Sequence, residues 1–213
     1  NQKKIKDISK VIAPPYDVIS PSQQETLYKR NPFNVVRLIL GKQFTEDDER
    51  DNRYIRSARD FARWQNQGIL VADTKPCFYA YSQTYELENR KVRRIGFFVR
   101  IRLEDFSAGN ICPHEFTLAK AKKDRACLIE ACRANFSPVF GLFSDPSKAV
   151  DNKLDMATQS NPLAVVEGKS ITHKLWRIED DEGISFLTQA MIDKKIYIAD
   201  GHHRYETALA YAK

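Results

Sequence analysis

The sequence predicts an α+β (mixed α/β) fold: one main mixed sheet with flanking helices. Three observations carry this expectation. Residues 77–85 and 92–103 are aromatic and β-branched runs on either side of the polar Glu86-Leu87-Glu88-Asn89-Arg90, the pattern of an antiparallel hairpin. Residues 172–212 instead alternate strand-like and helix-like stretches. No internal repeat or low-complexity tract is present, which excludes a solenoid or a disordered tail as the main body.

The elements follow in chain order. Ala13-Pro14-Pro15-Tyr16-Asp17-Val18-Ile19 is stiffened and extended, because each proline fixes its own φ and biases its predecessor away from helix. Ser20 and Pro21 then form a cap and first helical position for a helix to Arg30, which Asn31-Pro32 ends. Residues 35–40 read as a strand stopped by Gly41. A helix closing before Gly68 carries Tyr54, Ile55, Ala58, Phe61 and Ala62 on one face. After the hairpin come a charged helix over 119–134, a short strand at 139–143, and a polar stretch over 144–170 with one helix near 149–157. A strand at 172–178, a helix at 183–192 and a strand at 196–199 follow. The division expected is an N-terminal α+β region with the hairpin, 1–110, and a region carrying the last strand and helix, 111–213, together one compact unit.

Composition bounds the class. Hydrophobic residues at 42% and charged residues at 29% describe a globular chain able to bury a core, not a disordered one. The net charge of +6 suits anionic ligands in general, and no dense basic run singles out nucleic acid. Arg90-Lys91-Val92-Arg93-Arg94 falls in the hairpin, where a solvated sheet edge explains it. Cys77, Cys112, Cys127 and Cys132 lack zinc-like spacing, and no signal peptide or long apolar run is present. Reduced thiols and a cytoplasmic location, away from membranes, are the expectation. The chain starts without Met and stops soon after its last helix begins, which reads as a piece of a longer protein.

The chemically loaded stretch is Ile196-Tyr197-Ile198-Ala199-Asp200-Gly201-His202-His203-Arg204. An apolar strand stops at Asp-Gly and helix formers follow, giving strand, tight turn, helix. Unpaired backbone N–H groups and the positive dipole end at a helix start favour an anion. Gly201 lets a ligand approach the backbone, and Arg204 supplies a planar fork for phosphate oxygens. Asp200 has three open roles: capping the helix, holding a histidine, or ligating a phosphate-bound cation. His202 and His203 are adjacent and point apart, unlike zinc ligands on a helix.

A second constellation is Cys112-Pro113-His114-Glu115-Phe116-Thr117, just before a helix, with Asp124 and Arg125 further along. Thr117 serves as a cap in one reading. In the other, Glu115 beside His114 is a general base. Asp17, after a rigid Pro-Pro, either caps a turn or faces a pocket. Asp124 and Arg125 are better explained as an ion pair on a helix than as a substrate clamp.

Ala13-Pro14-Pro15-Tyr16-Asp17-Val18-Ile19, His114-Glu115-Phe116-Thr117 with Asp124-Arg125, Ala134-Asn135 to Ser137-Pro138-Val139-Phe140, Leu175-Trp176 and Asp200-Gly201-His202-His203-Arg204 recur in one order. Together they resemble the bacterial and archaeal family called domain of unknown function 1015, over essentially the whole chain. More distantly, the Asp-Gly-His-His-Arg turn and the upstream Pro-His-Glu are similar to free serine kinases of the ParB/sulfiredoxin superfamily. That resemblance implies a ParB/sulfiredoxin-like strand-turn-helix phosphate site within 111–213. It implies nucleotide phosphate contacts from Gly201, His202, His203 and Arg204, Asp200 near substrate or Mg²⁺, and Glu115 as the base. His114, Asp17, Asp124 and Arg125 rank behind these as substrate-binding residues.

The expected function is an ATP- or ADP-dependent, Mg²⁺-dependent kinase of a small hydroxylated metabolite, free L-serine first. One alternative is a nucleotide-gated, nucleic-acid-binding module of the ParB type, against which the lack of a helix-turn-helix or basic stripe counts. The other is a metal-dependent hydrolase using His114, Glu115, His202 and His203.

Overall fold

The computed structural model describes residues 1, 3–168 and 170–213. Seven α-helices and seven strands run in this order among the described residues: α1 (Pro21–Arg30), α2 (Val36–Ile39), α3 (Arg53–Asn66), β1 (Phe78–Leu87), β2 (Arg90–Phe98), β3 (Ile111–Cys112), α4 (Ala119–Cys132), β4 (Phe140–Leu142), α5 (Ala149–Ala157), β5 (Ala164–Glu167), β6 (Ile171–Ile178), α6 (Asp181–Met191), β7 (Ile196–Asp200) and α7 (His202–Ala212). The α+β class holds. The main sheet, ordered β2-β1-β6-β5, is antiparallel throughout, and a small second sheet, β3-β7-β4, holds a parallel pair. No helix among the described residues is long and apolar enough to cross a membrane.

Two compact units form, each from separate stretches on both sides of residue 110. The first takes Asn1–Ala72, Pro113–Gly141 and Ile198–Lys213; the second takes Asp73–Cys112 and Leu142–Tyr197. In the second unit the β1–β2 hairpin closes through Glu88 and Asn89, both at positive φ (49° and 61°), the two-residue turn whose twist suits paired strands. Alternation along β1 and β6 buries Ala80, Trp176 and Ile178 against Val150 and Leu154 of α5 and Leu187 of α6. The stretch expected to be polar between 144 and 170 contains β5 as well as α5; its four residues, Ala164–Glu167, are too short to give a period.

The first unit is largely helical. Ser20 accepts the Gln23 N–H at 3.2 Å with Pro21 next, so α1 starts where the sequence places it. Residues 35–40 are not the strand the sequence suggested but contain the short helix α2. Asn34 explains the difference. Fully buried, it donates to the Lys10 and Ile12 carbonyls (2.8 and 2.9 Å) and accepts the Val36 N–H at 3.0 Å. That last bond starts a helical turn, an instruction invisible to the periodicity of a six-residue apolar run. Leu38, Trp64 and Ile69 pack with Phe33, Phe61 and Phe136 into this unit's core.

Candidate functional site

All ten residues singled out from the sequence fall in the first unit. β7 ends at Asp200 and Gly201 turns the chain at φ +95°, a conformation that side-chain-bearing residues rarely adopt. A Cβ at Gly201 would lie 2.8 Å from the Cζ and Nε of Arg204. Glycine is therefore required here by dihedral and by space alike. The Arg204 guanidinium folds back over the turn and donates to the Asp200 carboxylate and the Pro138 carbonyl. Asp200 thus holds Arg204, and the N-cap of α7 is Gly201. The helical ladder starts with the Tyr205 N–H donating to the Gly201 carbonyl at 3.0 Å. The amides of residues 202–204 precede it, at the positive end of the helix dipole.

The segment 113–118 lies against this helix start. His202 is 2% exposed, and its Nε2 accepts the His114 backbone N–H at 3.2 Å. An accepting Nε2 puts the ring proton of neutral His202 on Nδ1. That Nδ1 stands 3.5 Å from the Glu115 carboxylate. His114 donates from Nδ1 to the Ile198 carbonyl at 2.7 Å and turns its Nε2 toward the other Glu115 oxygen, also at 3.5 Å. The two imidazoles meet edge to face, their centroids 4.6 Å apart. Of the two rings, His202 presents an N–H to Glu115, whereas a neutral His114 that donates from Nδ1 presents a lone pair at Nε2; 61% of the Glu115 side chain stays open to solvent.

His203 repeats the arrangement one residue on: its Nε2 accepts the Leu118 backbone N–H at 2.8 Å. Glu206 accepts the Thr117 hydroxyl at 2.6 Å and the Lys122 ammonium at 2.9 Å. Partial burial opposes ionisation of Glu206, but those two hydrogen bonds, with the charges of Lys122 and His203, outweigh it and hold the carboxyl below its ordinary range. Thr117 accordingly does not cap α4, whose N-cap is Leu118 with no side-chain bond. Phe116 between them is fully exposed.

Asp124 and Arg125 form a network of their own. Arg125, 8% exposed, donates to Asp124 through Nε at 2.8 Å and through Nη2, and to the Ile39 carbonyl at 3.1 Å. Asp124 also accepts from Arg53 and from the Tyr54 hydroxyl at 2.7 Å. The Arg125 guanidinium lies 3.8 Å over the Tyr16 ring. Burial pushes the Tyr16 phenol up, with Asp17 and Asp124 acting in the same direction and Arg125 and Arg204 opposing. Tyr16 therefore sits within electrostatic reach of both the Arg125 network and the Arg204 turn. Asp17 stands exposed beside it. A shallow dimple lined by Ile39, Gly41, Tyr54 and Arg125, with no room for a water molecule, adjoins this network.

The structure thus brings Glu115, His114 and His202 together at the start of α7, with Asp200 and Arg204 across the turn. Asp124 and Arg125 form a separate, mostly buried cluster. Tyr16, Glu206 and Phe116 were missed from the sequence. Glu206 carried a signal: it follows His202 by four residues and His203 by three, the spacing of one helix face.

The family described as "Protein of unknown function (DUF1015)" matches residues 1–213. The chain belongs to this family. No curated protein and no solved structure matches the chain. In this DUF1015 chain the motifs that carried the resemblance occupy one unit, apart from Leu175-Trp176, which lie in β6 of the other.

Proposed function

We propose that this DUF1015 chain is a nucleotide-dependent phosphotransferase that phosphorylates a small hydroxylated metabolite, free L-serine being the first substrate to test, with ATP or ADP and Mg²⁺. The observation that carries the reading is the exposed Glu115 carboxylate at the start of α7, 3.5 Å from the His202 Nδ1 and 3.5 Å from the His114 Nε2.

The residues at the turn suit a nucleotide phosphate. The amides of 202–204 precede the helical ladder, and the Arg204 guanidinium lies over Gly201 at the same corner, where a phosphate would have to displace it from Asp200 and Pro138. Both Nε2 atoms of His202 and His203 already accept main-chain N–H groups, so a phosphate contact from either ring would come through its Nδ1–H, beside the backbone amides and Arg204. Asp200, 61% exposed and paired with Arg204, would share a Mg²⁺ carried by the phosphates, whose chemistry is to neutralise charge on the transferring group. Glu115 accepts the proton of the attacking hydroxyl, with the His202 Nδ1–H facing the carboxylate. A ParB/sulfiredoxin-like relationship of the strand-turn-helix is part of this proposal.

The hydrolase alternative is less well supported by the geometry. A metal would need ring nitrogens that His202 and His203 spend on the main chain, and no group of three or more His, Cys, Asp or Glu among the described residues is arranged to hold one. The proposal is tested by incubating the protein with Mg²⁺, ATP or ADP and a panel of hydroxy compounds including L-serine, then looking for a phosphomonoester. Arg204→Ala is expected to abolish nucleotide binding. Glu115→Ala is expected to spare binding and lose turnover, and retained turnover there would remove the proposed base.

A further inference from the structure

The side chains at one face of the α7 start do not point at the turn; they hold a different piece of chain. His202 Nε2 takes the His114 N–H, His203 Nε2 takes the Leu118 N–H, and Glu206 takes the Thr117 hydroxyl and the Lys122 ammonium. The bonds bracket Glu115 on both sides: residue 114 before it, residues 117 and 118 after it. A five-residue connection with an exposed carboxylate and a fully exposed phenylalanine has little packing to keep it in place. Three consecutive attachments to a single helix supply that order instead.

We infer that His202, His203 and Glu206 are positioning residues that clamp the 114–118 segment, and with it Glu115, onto the first turns of α7. The assignment rests on the phosphotransferase reading only for its kinetic consequence; the clamp itself is a statement about which atoms accept the His114 and Leu118 amides. It gives these histidines a role at Nε2 that is independent of any phosphate contact through Nδ1. The clamp requires an acceptor at the Nε2 position, whatever the Nδ1–H does. Glutamine places an acceptor oxygen near where Nε2 sits, and asparagine stops one bond short.

The test therefore compares His203→Gln with His203→Asn, and Glu206→Gln with Glu206→Ala, in the whole chain. Amide hydrogen exchange is read at Leu118 and His114, alongside Mg·ADP and Mg·ATP affinity and turnover. The clamp predicts that His203→Asn loses Leu118 protection and lowers kcat by about 100-fold, the scale of a roughly 1 Å misplacement, with nucleotide affinity within about twofold of wild type. His203→Gln restores protection and most of kcat. Glu206→Gln, which still accepts from Thr117, stays close to wild type, while Glu206→Ala follows His203→Asn. If the exchange pattern appears but no form transfers phosphate, the clamp stands and the phosphotransferase reading falls. If Gln and Asn variants leave Leu118 exchange unchanged, or both weaken nucleotide binding alike, the clamp is overturned.

Discussion

Asp124 is the residue whose removal should disturb the first unit most. It accepts from Arg53, Tyr54 and twice from Arg125, and Arg125 is 8% exposed with the Ile39 carbonyl as its other hydrogen-bond acceptor. Asp124→Ala leaves a buried guanidinium facing the Tyr16 ring without its counter-ion. Breaking such a pair costs about 3–5 kcal/mol when fully buried. Asp124 and Arg53 each keep 19% side-chain exposure, which places the loss at the lower end, about 3 kcal/mol. At about 2–4 °C per kcal/mol for a chain of this size, the melting temperature falls by about 6–12 °C. Asp124→Asn keeps one acceptor oxygen and loses about half as much. Replacing both members, Asp124→Leu with Arg125→Met, recovers part of the loss, because the buried Arg125 charge is gone while Arg53, 19% exposed, still loses its partner. Thermal unfolding followed by circular dichroism reads all three. Melting of Asp124→Ala within about 2 °C of wild type would show that the network contributes nothing and refute the reasoning.

Other outcomes follow from the same geometry. Gly201→Ala forces a side chain into φ +95° and against Arg204, so it destabilises by about 1–3 kcal/mol and weakens nucleotide binding; calorimetry checks both. Burial opposes ionisation of Asp124 too, but hydrogen bonding from Tyr54 and the charges of Arg125 and Arg53 hold it low, as partners hold Glu206. Both carboxyls titrate lower in the fold than unfolded, so their stabilisation is complete above the ordinary carboxylate range and is lost as pH falls through their folded values. Chemical denaturation between neutral and acidic pH should show stability falling on acidification, less steeply in Glu206→Gln. Burial pushes the Cys132 thiol up to about 11, while Cys77, Cys112 and Cys127 are less covered. Iodoacetamide on the native protein should modify Cys132 last, by peptide mass analysis.

The features legible in the sequence are those written locally. Ser20-Pro21 opened α1, the polar Glu88-Asn89 corner closed the hairpin, and Asp200-Gly201 separated β7 from α7. Residues 35–40 misled because a short apolar run carries no usable period and the deciding group, Asn34, acts through carbonyls 22 and 24 residues away. The site was legible as residue types and not as bonds. Pro-His-Glu and Gly-His-His-Arg were conspicuous, yet nothing local says that a histidine ring will accept an amide 85 or 88 residues earlier in the chain. Thr117 looked like a cap for the same reason: its partner, Glu206, is 89 residues on. Tyr16 was passed over in favour of Asp17, its charged neighbour, because a phenol ring under a guanidinium 109 residues away has no sequence signature.

The central claim is that the amides of residues 202–204 and the Glu115 segment face one ligand. Backbone amide NMR during titration with Mg·ADP and Mg·ATP reads this without requiring turnover. The account predicts that the resonances of residues 201–204 and 114–118 move together and saturate at a single affinity, and that Arg204→Ala removes the effect. No nucleotide-induced shift, or shifts confined to the dimple beside Tyr54 and Arg125, would contradict it.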